Sequence, residues 1–79
     1  MKSNNITPKN LSGERIREAR KKQGLSQQAL AEMMRASGVR ISRDTVSRIE
    51  TKKRLVVDFE LKTFAKVLHT DILRLLESA

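Results

Sequence analysis

From Ser42 to Glu50 the chain reads Ser-Arg-Asp-Thr-Val-Ser-Arg-Ile-Glu. Val46 and Ile49 lie three apart and share one face of a short helix. Arg43, Asp44, Ser47 and Arg48 fall on the other face. Their chemistry suits the edges of stacked bases. A guanidinium can donate two bonds to O6 and N7 of guanine, a carboxylate can accept from the cytosine amine, and a hydroxyl can do either. An ordinary solvated helix carries the same residue types, so the setting has to decide. Here it consists of a basic chain, a short helix upstream, and Lys52-Lys53-Arg54 just past Glu50.

The elements that must hold this stretch follow from periodicity and punctuation. Residues 1–10 are polar, contain the single proline and lack periodicity, which predicts a loose arm, with the folded domain over 11–79. A first helix is expected from Leu11 to about Gln23, with Ile16, Ala19 and Arg20 turned inward and Ser12 or Asn10 as its cap. Gly24 ends it in the left-handed conformation, Leu25 plugs the core and Ser26 caps the next helix. That second helix spans Gln27 to about Ala36, with Leu30, Ala31 and Met34 on one stripe. Ala31 is small enough to let a neighbouring helix approach closely. Ser37-Gly38 breaks it, Val39-Arg40-Ile41 connects, and Ser42 caps the third. Asp58 is expected to cap a fourth helix containing Leu61, Phe64, Ala65 and Leu68. Thr70 or Asp71 caps a short fifth with Ile72, Leu73, Leu75 and Leu76. No strand alternation or repeat interrupts this, so the fold class is all-α, five helices.

Length and composition bound the function. Seventy-nine residues make one small domain. No apolar run reaches the roughly 20 residues a bilayer crossing needs, and the N-terminus lacks the apolar segment of a secretory signal. With no cysteine and one histidine, His69, neither a disulfide framework nor a metal site is expected. Nothing suggests a cofactor or small-molecule ligand. Three glycines and a lone His supply no phosphate loop and no nucleophile–base set, so an enzyme is not expected. A cytoplasmic location is the simplest expectation. The charge is more informative: net +8, with fourteen basic and five acidic side chains in residues 1–54 but three and four in 55–79. A polyanion facing the first two-thirds of the chain accounts for that asymmetry.

Two consecutive short helices, with a small residue in the first and apolar anchors in the second, suggest a helix-turn-helix. In that arrangement the first helix crosses the DNA backbone and the second enters the major groove by its N-terminal part. The stretches GLSQQALAEMM (Gly24–Met34) and ISRDTVSRIETKKR (Ile41–Arg54) resemble the Cro/Xre-type helix-turn-helix family of phage-repressor-like domains. IREARKKQ (Ile16–Gln23) and DFELKTFAKVL (Asp58–Leu68) extend the similarity over about Leu11 to Leu76. The resemblance implies a five-helix repressor-like fold and sequence-specific binding of double-stranded DNA in transcriptional control. It implies base contacts from Arg43, Asp44, Ser47 and Arg48, with Ser42 contributing. It further implies phosphate contacts from Gln27, which also braces the reading helix, and from Lys52, Lys53 and Arg54. Finally it implies a structural ion pair of Arg20 with Glu50. One departure stands out: the family's tight turn is replaced by a longer connection, Ser37–Ile41, with room for the second helix to run a turn further.

Asp44 has two routes open, accepting from cytosine or orienting Arg43. Ser47 meets a base or a phosphate, or is merely small. One reading helix covers few base pairs, so a homodimer on a two-fold operator is expected. Leu73, Leu75 and Leu76 either form its interface or close the monomer core. The competing function is a protein-interaction module of the same fold, an antitoxin or anti-regulator. RNA binding is disfavoured because no aromatic platform for single strands is present.

Overall fold

The computed structural model describes residues 11–76, which form α1 (Leu11–Lys22), α2 (Gln27–Ala36), α3 (Arg43–Glu50), α4 (Asp58–Val67) and α5 (Ile72–Leu76). The sequence-based all-α, five-helix expectation holds, with no strand among the described residues. The expected N-terminal arm, and Asn10 as a cap, lie outside them. Ser12 is inside α1 and so does not cap it.

The starts of α2 and α3 are built alike. The Ser26 hydroxyl accepts from the Ala29 amide, and the Ser42 hydroxyl accepts from the Thr45 amide. Each satisfies one of the donors that a helix N-terminus leaves unpaired. α4 starts differently. Its N-cap is Val57, with no side-chain acceptor, and Asp58 is the first helical residue rather than the cap. Glu60 compensates by accepting from the Val57 amide at 3.1 Å, the half of a capping box that a valine permits.

The first four helices end in one motif. In α1 the amides of Gly24 and Leu25 return to the carbonyls of Lys21 and Arg20, and the equivalent pairs recur after α2, α3 and α4. This double return requires a left-handed residue. Gly24 and Gly38 supply it for α1 and α2, whereas Lys52 (φ 69°) and His69 (φ 54°) supply it for α3 and α4. Gly38 stops α2 at Ala36, so the helix gains no extra turn.

Ile16 of α1, Leu30, Ala31 and Met34 of α2, Val46 and Ile49 of α3, Phe64 and Leu68 of α4 and Leu75 of α5 form the core. α3 packs on α2 and α1, α2 on α4, and α5 on α1 and α4. Leu75 is 1% exposed and belongs to this core, whereas Leu73 is 69% exposed. The long α2–α3 connection is pinned by Val39 and Ile41, both buried. Arg40 between them stays outside as the Ile41 amide returns to the Val39 carbonyl.

Candidate nucleic-acid interface

α3 is fixed from behind at its C-terminal end. Glu50 is almost sealed, and the Arg20 guanidinium forks onto it: Nε donates to Oε2 at 2.7 Å and Nη2 to Oε1 at 2.9 Å. The third arm of Arg20, Nη1, reaches the Leu25 carbonyl at 2.7 Å. The hydrogen bond to Glu50 holds the guanidinium pKa above its usual value, against the opposing effect of burial. Gln27, the first residue of α2, donates from its side-chain amide to Glu50 Oε1 at 3.1 Å. One carboxylate thereby links α1, α2 and α3.

A second brace escaped the sequence reading. Gly13 of α1 is buried beneath α3, and a Cβ built on it would run into the carbonyl oxygen of Ile49. Only a residue without a side chain lets α1 approach the end of α3 this closely. The sequence signal was a glycine two residues inside a helix, where propensity disfavours it. Nearby, Lys52 Nζ pairs with Glu14 Oε2 at 2.5 Å. That hydrogen bond and the lysine's charge depress the Glu14 pKa.

The outward side of α3 contrasts with this. Arg43, Asp44 and Arg48 are exposed and Ser47 is half-buried, while Val46 and Ile49 are buried. Arg43 has no ion pair or side-chain hydrogen bond among the described residues. Asp44 does not orient Arg43. It holds Arg48 instead, accepting from Nε at 3.0 Å across one turn, because residues four apart on a helix are neighbours and residues one apart are not. The Ser42 hydroxyl serves its cap and meets the Thr45 hydroxyl at 3.2 Å.

The basic run after α3 divides three ways. Lys53 is exposed and without a carboxylate partner among the described residues. Lys52 is exposed but paired with Glu14. Arg54, expected to face a phosphate, turns back onto α4: Nη1 and Nη2 donate to the two oxygens of Glu60, each at 2.8 Å. The Arg54 hydrogen bonds, helped by the Val57 amide, hold the Glu60 carboxyl below its ordinary pKa. This pair fixes the segment between α3 and α4, so Arg54 is a structural cation here. Arg40, in the α2–α3 connection and exposed two residues before the Ser42 cap, adds a charge beside the open end of α3.

The geometry is therefore a short helix, anchored on its inner side by α1 and α2, whose outer side carries hydrogen-bonding groups flanked by cations. A helix-turn-helix family profile matches residues 16–75, most of the chain. The chain belongs to the Cro/C1-type helix-turn-helix family. Searches of curated proteins and of solved structures return no match. Members of the Cro/C1-type family are DNA-binding domains of transcription regulators, and that coarse function holds for this chain. No helix among the described residues is long and apolar enough to cross a membrane.

Proposed function

We propose that this helix-turn-helix domain binds double-stranded DNA sequence-specifically, with α3 in the major groove, and that it acts as a repressor by occupying its site. The carrying observation is the division of α3 into a buried face, Val46 and Ile49, and an outer face, Arg43, Asp44, Ser47 and Arg48. In this reading Arg43 and Arg48 grip guanines, with Arg48 exchanging Asp44 for a base edge. Asp44 then accepts from a neighbouring cytosine amine, and Ser42 and Ser47 contribute where the helix enters. Lys53, Arg40 and Lys52 meet phosphates, Lys52 leaving Glu14 to do so. Gln27 braces α3 through Glu50 and offers its remaining amide hydrogen to the backbone.

We also propose that two copies bind a two-fold operator, with half-sites about one turn, roughly 34 Å, apart. Leu75 is unavailable for their contact. The exposed apolar residues Leu55, Val57 and Phe59 follow α3 directly, and they are the surface a second copy would cover, with Leu73 and Leu76 as the other choice.

Selection of bound sites from a random duplex pool tests both parts together. A repeated, inverted motif with guanines in each half-site is expected. Enrichment of no motif, with binding governed by salt alone, would remove the sequence-reading role and leave only phosphate attraction.

A further inference from the structure

Lys52 and Lys53 are neighbours just past α3, both exposed, yet their charges are in opposite states. Lys53 has no carboxylate partner among the described residues, whereas Lys52 Nζ lies 2.5 Å from Glu14 Oε2. Backbone packing brings Glu14 there. Gly13 lets the first turn of α1 lie against the Ile49 carbonyl, and Glu14 is the next residue. From the other side, Lys52 takes the left-handed conformation (φ 69°) that ends α3. Both partners are thus anchored in the packed end of α3, while their side chains stay 43% and 49% exposed. The hollow of about 330 Å³ beside them is also lined by Arg17, Glu18, Lys21 and Glu50. Glu50 is taken by Arg20 and Gln27, and Glu18 by Arg15. Arg17 and Lys21 have no carboxylate partner among the described residues, so Glu14 holds Lys52 rather than the cations of its own helix.

We propose that Glu14 is an affinity-setting residue, a carboxylate that occupies Lys52 in the place of a DNA phosphate and must be displaced on binding. The inference rests on the reading of Lys52 as a phosphate contact and adds what regulates that contact. A carboxylate oxygen and a phosphate oxygen accept from the same ammonium hydrogens. A phosphate that approached Lys52 without displacing Glu14 would meet a second negative charge close by, and like charges repel. By either route the duplex gains less from Lys52 than from its unengaged neighbour Lys53. Phosphate contacts carry no sequence information, so the penalty falls on every duplex alike. Glu14 therefore moderates the grip on DNA without touching the residues that read bases.

The test titrates the full chain and its variants onto a labelled duplex of random sequence, between about 50 and 200 mM salt. Glu14→Gln should tighten binding about 1.5- to 5-fold at the low-salt end, the scale of an exposed ion pair. The gain should shrink as salt screens that pair. Glu18→Gln, which removes the same charge one turn along α1, measures the general effect of losing an acid near DNA. In the Lys52→Ala background Glu14→Gln should add no more than Glu18→Gln does. Lys52→Ala should cost less affinity than Lys53→Ala in the parent chain, and a similar amount once Glu14→Gln is present. Circular dichroism spectra should be the same throughout. Equal gains from Glu14→Gln with and without Lys52 would make Glu14 a general surface charge and overturn the proposal. A loss of affinity from Glu14→Gln would overturn it too, because the pair would then be aiming Lys52 at the DNA. No gain from Glu14→Gln, with Lys52→Ala still weakening that variant, would sink the proposal alone and leave Lys52 as a phosphate contact. Lys52→Ala without effect in either background would remove the phosphate reading itself, and the proposal with it.

Discussion

The two ends of α3 are opposites. At its C-terminal end Glu50 takes bonds from Arg20 and Gln27, and the Ile49 carbonyl lies against Gly13, so three helices meet around a buried ion pair. At its N-terminal end Arg43 has no ion pair or side-chain hydrogen bond among the described residues, and Asp44 reaches along the outer face to Arg48 in the last turn, with both side chains more than half exposed (74% and 60%). A fork of charge-assisted bonds in a sealed place fixes position. An exposed pair four residues apart is easily exchanged for another partner. The difference teaches how an eight-residue helix, too short to be stable alone, can be held firmly while its outer face stays available.

Glu50→Ala attacks the contrast most directly at the fixed end. It leaves Arg20 buried without its partner and should cost about 3–5 kcal/mol, read as a lower denaturant midpoint in urea. A loss below about 1 kcal/mol, the scale of surface pairs, would mean that the two ends are alike. Gly13→Ala tests the same end without touching a charge. The added methyl meets backbone, which yields less readily than a side chain. A cost of about 1–3 kcal/mol is expected, against the stabilisation of about 0.5–1 kcal/mol that alanine brings over glycine at an open helix site.

The Arg54–Glu60 pair gives a pH signature of the segment that follows α3. The Glu60 carboxyl is held below its ordinary pKa, so its contribution is complete above the ordinary glutamate range, about 4.3. That contribution is lost as the pH falls through the lowered folded value. Stability measured from pH 6 down to 3 should therefore decline less steeply in Glu60→Gln than in the parent chain. Parallel curves would deny the pair that role. Smallest of all should be the coupling at the open end: an Asp44→Ala/Arg48→Ala double-mutant cycle should return about 0.2–1 kcal/mol in stability.

Much of the scaffold was readable because it is written locally. Ser26 and Ser42 announce helix starts, Gly24 and Gly38 announce ends, and the apolar stripes give the buried faces. Lys52 and His69 end helices in the same left-handed conformation as those glycines, but neither residue type advertises it. Val57 hid the start of α4 because its cap is completed by Glu60 from inside the helix. Other features join distant parts of the chain, so no spacing encodes them. Gly13 under Ile49, Lys52 on Glu14 and Arg54 on Glu60 all depend on how helices pack. The Arg20–Glu50 pairing, thirty residues apart, came only from the family resemblance. On the outer face the sequence named residue types, but neighbour geometry gave Asp44 to Arg48 rather than to Arg43.

The central claim is that the outer face of α3 reads bases while the cations beside it grip phosphate. It is tested most directly by site selection on random duplex DNA with Arg43→Ala and Lys53→Ala beside the parent chain. Both variants should keep their fold stability within about 0.5 kcal/mol. Arg43→Ala should relax preference at one position of each half-site, by about 1–3 kcal/mol. Lys53→Ala should weaken all sequences equally and flatten the dependence of log affinity on log salt by about 0.9. A uniform loss over every sequence from Arg43→Ala, with the salt slope flattened as for Lys53, would contradict the claim.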